Sequence, residues 1–232
     1  HPRIAAQDTG AYKALDQHMK DTYNHLYDDF FYHRHNSFWK ESAMKKLPGL
    51  LSSTQMQACG EDLGMIPACV PEVMQELFIL SLEIQRMPKQ SWKAFADVRE
   101  YPHMSVCSTS THDMNPLRAW WKEDRSMTEK FYREVLWENG EAPQECEPWI
   151  CRKVVKMHMD SPSLMAILPL QDWLAMDGEL RNPDPDSERI NDPSDNPHYW
   201  RYRMHLTLED LLGATQFNAL LRKMTEEAGR HC

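Results

Sequence analysis

The sequence predicts an α/β chain built on parallel strands. Two observations point there. Short apolar segments of strand length alternate with stretches of helical periodicity, and polar excursions follow the strand ends, where barrel enzymes build their clefts. At 232 residues with 41% hydrophobic side chains, the chain can bury a sizeable core. Its length would also permit a complete eight-stranded barrel, so motifs must decide how much of one is present.

Taken in order, Tyr12 to Lys46 carries helical spacing through Leu15, Met19, Leu26, Phe30, Phe31, Phe38, Trp39 and Met44, with His33-Arg34-His35-Asn36 as a bend or break. Met56 to Cys59 reads as a buried strand with Glu61 at its C-terminal end. Pro71 suits the first turn of a helix through Phe78, where its missing N–H costs nothing. Phe78 to Ile84 reads as the next strand, and residues 86–103 as a polar excursion leading to a strand over Met104 to Ser108.

Pro116 to Lys122 predicts one or two helical turns. Ser126 and Glu129 have capping-box spacing ahead of a helix through Trp137. Residues 146–159 read as another helix, and Leu164 to Leu168 as a final buried strand. Residues 182–198 hold four prolines and form a loop. Thr207 and Asp210 are placed to cap the last helix, with Leu208, Leu211 and Leu212 as its early apolar positions. Four strand units in this order make half of an eight-stranded barrel or a small open parallel sheet.

The formal charge of −9, from 35 acidic and 26 basic side chains, argues against broad attraction to nucleic acid or anionic membrane surfaces. Eight tryptophans suit platforms for the apolar faces of sugar rings and equally suit buried anchors. Cys59, Cys69, Cys107, Cys146, Cys151 and Cys232 form no regular disulfide framework, so a reducing, cytoplasmic setting is expected. Cys59 reads as core, and Cys146 with Cys151 is too widely spaced for a zinc knuckle; no metal and no cofactor are expected. The opening His1-Pro2-Arg3 lacks a helix cap, a strand pattern and an initiator Met, and is expected to follow an upstream segment.

Glu61 and Asp113 fall at the ends of two separate candidate strands, where barrel enzymes place their reactive groups. Carboxylates so placed can divide acid, base and electrostatic work on a glycosidic bond. Equally, they are surface or helix-capping acids in a chain that has 35 of them. His112 can donate to a sugar hydroxyl or be a buried histidine satisfied by backbone. Trp120 and Trp121 point about 100° apart on a helix, so at least one belongs to the core.

The runs C-G-E-D-L-G-M-I-P at 59–67 and Y-P-H-M-S-V-C-S-T-S-T-H-D-M at 101–114 resemble the two hallmark blocks of the 4-alpha-glucanotransferases called amylomaltases or disproportionating enzymes, glycoside hydrolase family 77. L-P-L-Q-D-W-L at 168–174, E-R-I-N-D-P at 188–193 and Y-W-R-Y-R at 199–203 follow in the family's order, and residues 27–48 are similar to the longer form found in Bacteroides-like bacteria. The resemblance implies the C-terminal part of a (β/α)8 barrel, about strands 5–8, over residues 51–232, preceded by a helical segment over 1–50.

The resemblance also implies roles. Glu61 matches the general acid/base, Asp113 the carboxylate that stabilises the transition state, and His112 its sugar-binding neighbour. Asn191 matches a glucan-binding Asn, Gln171 and Asp172 line the region after the last strand, and Arg118 and Trp120 lie close to the site. The implied partners are maltooligosaccharides and alpha-1,4-glucans, together with an N-terminal half of the same polypeptide. Two departures stand out. The family's nucleophilic Asp, in an R-I-D-H-F-type block, has no counterpart here, since Arg3-Ile4 is followed by Ala5; and S-L-E-I-Q-R-M-P replaces the usual P-G-M approach to a strand. The isolated chain is therefore expected to be inactive, with a non-catalytic glucan-binding or structural fragment, or an alpha-amylase-type hydrolase, as the competing descriptions.

Overall fold

A computed structural model describes residues 4–64, 66–194 and 200–230. Arg3, Met65, Tyr199 and Cys232, and the end of the 182–198 loop from Asp195, lie outside them. The chain divides into two compact units, with the boundary between Ser81 and Leu82.

The first unit begins with α1 (Gly10–Lys13) and α2 (Gln17–Asp28), which Asp16 caps by accepting from the Met19 N–H. The break expected at residues 33–36 is absent. Helix continues through one π-helical stretch, Asp29–Arg34, into α3 (His35–Leu51). A row of ring contacts along one side explains the continuity: Tyr23 to Tyr27, Tyr27 to Phe31, Phe31 to His35 and His35 to Trp39, with centroids 4.7–6.4 Å apart. The wider π turn keeps these aromatics in register across a stretch where two rings, Phe30 and Phe31, stand edge to face.

Met56–Cys59 is a correction to the sequence reading. It is extended but forms only an isolated parallel bridge, Cys59 to Leu80, with Gly60 N donating to Leu80 O at 2.8 Å and Leu80 N to Ala58 O at 3.0 Å. Met56 is 78% exposed and Cys59 is exposed, so the segment is not a buried strand and Cys59 is not core. One partner on one side leaves nothing to cover the other face. The helix α4 (Cys69–Glu76) starts as expected, with Pro71 in its first turn. Phe78 stands in a left-handed turn (φ 55°) before the chain enters β1 (Ser81–Ile84), so the strand is shorter than the apolar run.

The second unit holds a sheet of order β1-β2-β3, with β2 (Ser105–Ser108) and β3 (Met165–Ala166) parallel in the register Val106 to Met165 and Cys107 to Ala166. Among the described residues this makes three strands rather than four. The expected strand at Leu164–Leu168 shrinks to two residues, and its flanks Leu164 and Ile167 are exposed. Around the sheet run α5 (Leu117–Glu123), α6 (Arg125–Glu134), α7 (Pro148–Met159) and α8 (Leu170–Leu174), then α9 (Leu208–Gly213) and α10 (Thr215–Glu227).

The core of this unit gathers Leu117 and Trp121 of α5, Phe131 of α6, Ile150, Val154 and Val155 of α7, Leu174 of α8, and Phe217 and Met224 of α10. Pro148 opens α7 at a position where its lost N–H is harmless, and Ile150, Cys151, Val154 and Val155 follow at i, i+1, i+4 and i+5 to bury one face.

Three details differ from the sequence reading. Asp124, not Ser126, caps α6, because its carboxylate accepts from both Ser126 N (2.9 Å) and Met127 N (3.2 Å). Glu129 instead takes Arg125, Arg133 and the Ala142 N–H. The helix stops at Glu134, and Trp137 sits beyond it at φ 59°. Thr207 and Asp210 do form a reciprocal capping box on α9, but Leu208 and Leu212 stay exposed and Leu211 packs on the core.

Candidate active site

The first unit presents Glu61 just after the Cys59 bridge. Side chains alternate along extended backbone, so Asp62 is buried while Glu61 is exposed. Both glycines of C-G-E-D-L-G have a local reason. A Cβ on Gly60 would come 2.8 Å from Met74 Cε, the movable end of a side chain, and Gly64 adopts φ +79°, where a Cβ is disfavoured. The turn is tight enough that Leu63 N donates to Glu61 Oε1 at 3.4 Å.

In the second unit the chain leaving β2 is clamped. Asp172, fully buried on α8, accepts from Thr109 Oγ1 at 2.5 Å and from Leu117 N at 2.8 Å, tying the end of β2 to the start of α5. Burial pushes the Asp172 carboxyl up, while Arg86 and these donors pull it down. Arg86 adds a second clamp by donating to Thr109 O (2.8 Å) and Asn115 O (2.9 Å), the two carbonyls that bracket the T-H-D turn. Its guanidinium lies over the Trp120 ring at 4.9 Å; burial lowers its pKa to about 10, which leaves it charged at neutral pH.

Within the turn so held, Asp113 and His112 are each about half exposed and meet at 3.4 Å, His112 Nε2 to Asp113 Oδ1. Asn191 reaches across from the loop after α8, donating Nδ2–H to Asp113 Oδ1 at 2.5 Å, while its own backbone N–H donates to His112 O at 3.0 Å. Asp113 therefore has one oxygen fixed and further lone pairs open to solvent. The Trp200 ring stands 5.1 Å from the His112 ring and is exposed, which suits a sugar face.

Beside this cluster, at the C-terminal ends of β2 and β3, lies a groove of about 450 Å3 lined by Ser108, Thr111, His112, Leu170, Gln171 and Ile190 among others. Gln171 is mostly buried and donates to Glu188 O at 3.2 Å, so it also anchors the loop that carries Asn191. Arg118 is buried, donates to Asn182 O at 2.6 Å and stands 3.8 Å from Glu188 Oε2. Among the described residues neither Glu188 oxygen has a hydrogen-bond donor, and burial pushes this carboxyl up to about 7 against the pull of Arg118.

The structure thus brings Asp113, His112 and Asn191 into one accessible cluster, with Gln171 along the groove. Asp172 and Arg118 hold loops from buried positions. Trp120 packs among Arg86, Phe95, Phe131 and Trp121, with Trp121 fully buried. Sequence reasoning missed Arg86, Glu188 and Trp200. Arg86 was hidden in a polar excursion, where the one available signal was a cation immediately after an apolar strand. Glu188 and Trp200 stood inside quoted motifs without a role.

The family model described as 4-alpha-glucanotransferase (Glyco_hydro_77) matches residues 11–208. The 4-alpha-glucanotransferase DPE2 of Oryza sativa subsp. japonica is 43% identical over 230 residues, covering 99% of this chain and 24% of that protein. A 4-alpha-glucanotransferase of Chlamydia trachomatis serovar D is 29% identical over 189 residues, covering 77% of this chain and 34% of that one. The chain therefore spans about a quarter to a third of the length of these relatives. Among solved structures, amylomaltase from Streptococcus agalactiae in complex with acarbose superposes with a TM-score of 0.57 at 18% identity, over 75% of this chain and 32% of that one, which supports an α/β fold in common. The matched span and the identity to the rice protein place the chain in glycoside hydrolase family 77, the 4-alpha-glucanotransferase family.

Proposed function

We propose that this chain supplies the acid/base and sugar-holding part of a 4-alpha-glucanotransferase that moves alpha-1,4-glucan segments between maltooligosaccharides by a retaining double displacement. The observation that carries the reading is the cluster of half-exposed Asp113 and His112 held by buried Asn191, beside the groove where β2 and β3 end. In this reading residues 51–232 form about strands 5–8 of a (β/α)8 barrel behind a helical segment over 1–50, and the protein works in the cytoplasm.

Glu61 donates a proton to the glycosidic oxygen as a carboxylate nucleophile attacks the anomeric carbon, and the cleaved chain leaves with a free 4-hydroxyl. Glu61, now ionised, takes the proton from the 4-hydroxyl of an acceptor glucan, whose oxygen displaces the carboxylate and restores the α configuration. The nucleophile belongs to an N-terminal half of the same polypeptide, because this sequence carries no R-I-D-H-F-type block. Asp113, held by Asn191, accepts from substrate hydroxyls as positive charge grows on the sugar ring. His112 donates to a neighbouring hydroxyl, Gln171 lines the groove, Trp200 offers a stacking face, and Asp172 and Arg118 position the loops.

The test is product analysis of maltotriose incubated with the intact protein. Glucose together with maltopentaose is expected. Glucose and maltose alone, from attack by water, would replace the transferase reading with a hydrolase; no turnover would leave only a glucan-binding or structural role.

A further inference from the structure

A second cleft, of about 650 Å3, opens between the residues that follow β1 and the sides of α6 and α7; its walls include Gln85, Trp92, Phe95, Arg99, Trp137 and Met157. It shares no lining residue with the groove beside Asp113. Two of its walls are tryptophans held out to solvent, Trp92 at 80% and Trp137 at 69% exposure. Trp137 is also strained, at φ 59°, where bulky side chains are rare, and that conformation gains it no burial. The Arg99 guanidinium lies 5.5 Å from the Trp137 ring centroid, bracing the indole, and Asp97 in turn grips Arg99 at 2.6 Å.

The wall of the cleft carries an unanswered polar group. Gln85 is 2% exposed, and among the described residues neither its side-chain oxygen nor its side-chain nitrogen has a hydrogen-bond partner. A buried amide left unpaired is costly, and a ligand rich in hydroxyls offers both a donor and an acceptor for it. Charge narrows the ligand further. Lys93 pairs with Glu100, Arg99 with Asp97 and Lys153 with Glu138, and the fourth cation of the lining, Lys130, is matched in number by the carboxylate of Glu134 on the same helix. The rim therefore lacks the uncompensated cation that a phosphate or carboxylate ligand would seek.

We infer that this cleft is a second, non-catalytic glucan-binding site, in which glucosyl rings lie against Trp92 and Trp137 and a ring hydroxyl meets the Gln85 amide. Exposed aromatic faces with neutral hydrogen-bonding groups identify the ligand as a sugar; the choice of an alpha-glucan rests on the proposed function. Such a site holds a long glucan beside the protein while one end is processed in the groove at Asp113. Its contribution grows with chain length, because a longer glucan has more glucosyl units free to occupy it while another part lies in the groove.

Two measurements on the intact protein test this. Retardation in gels containing glycogen is compared for the wild type and the Trp92→Ala/Trp137→Ala variant, alongside transfer on maltotriose. Loss of two stacking faces should weaken retention by roughly tenfold, with maltotriose transfer held within about twofold because the sites share no residue. Hydroxyl-radical footprinting should show Trp92 and Trp137 modified in the free protein and protected by maltoheptaose. Unchanged retention in the double variant would overturn the site. So would tryptophans already protected without glucan, since another stretch of polypeptide would then fill the cleft. Absence of maltopentaose from the wild type, with retention still dependent on the two tryptophans, would count against the proposed function and leave the binding site standing.

Discussion

The two units of this chain present the carboxylates of the proposed mechanism, Glu61 and Asp113, in opposite ways. Up to Ser81, helices α2 and α3 bury no residue completely, and Glu61 follows a segment joined to its neighbour by one parallel bridge, Cys59 to Leu80, and by Gln57 donating to Phe78 O, and leads into a glycine turn. From Leu82 onward, a core of interlocking aromatics and aliphatics supports a turn whose ends are clamped by Asp172 and Arg86, and Asp113 is gripped by Asn191. The difference matches two kinds of work. A group that must gain and lose a proton benefits from freedom to change partners, whereas one that holds developing charge must already be in place.

That contrast makes the second unit far more sensitive to core truncation. Phe131→Ala removes a fully buried ring whose neighbours Phe95 and Trp120 lie 5.0 and 5.2 Å away, and should cost about 3–5 kcal/mol in denaturant unfolding. Phe38→Ala in the first unit, where the ring is 65% exposed, should stay within about 0.5 kcal/mol. Equal losses would remove the distinction.

A pH series sharpens the same comparison. Glu188 binds its proton more tightly folded, up to about 7, than in an unfolded chain. Its contribution to stability is therefore greatest at low pH, falls as pH rises from about 4.3, and levels off above about 7. His158 acts in the opposite sense. Burial lowers its pKa to about 4, so its contribution is present above about 6.5 and is lost as pH falls toward about 4. In Glu188→Gln the first effect disappears and the second remains, so the melting temperature of the variant relative to the wild type should rise between pH 5 and pH 7.5. A constant difference across that range would contradict the buried-carboxylate reading.

The first unit should respond instead to backbone changes. Gly64→Ala places a Cβ at φ +79° and should cost about 1–2 kcal/mol. In the second unit, away from its core, the smaller Thr207→Ala change removes one half of the α9 capping box and should cost about 1 kcal/mol.

How much of this was legible in the sequence follows from what each element depends on. Helix α7 and the α9 cap were readable because the decisive residues are neighbours in the chain: Pro148 opens its helix, and Thr207 meets Asp210 three positions on. Met56–Cys59 was misread because an apolar run says nothing about how many partners flank it, and here there is one. The π-helical passage at Asp29–Arg34 arises from ring contacts along the helix that a break-prone H-R-H-N motif conceals. Asn191 came through family resemblance, but its bond to Asp113, 78 residues away, is a tertiary fact. Arg86 was missed for the same reason, since its value lies in two carbonyls far along the chain.

The central claim is that Glu61 moves protons while Asp113 holds charge, and the pH dependence of maltotriose transfer in the intact protein tests it most directly. Glu61→Gln should lower transfer by about 10²–10⁴ at unchanged far-UV circular dichroism and abolish the limb of the pH profile that reports the general acid. Asp113→Asn should also lower the rate yet keep both limbs of the profile, because the proton still cycles through Glu61. Transfer in Glu61→Gln close to that of the wild type, or a profile that loses its acid limb in Asp113→Asn instead, would contradict the assignment of the two carboxylates.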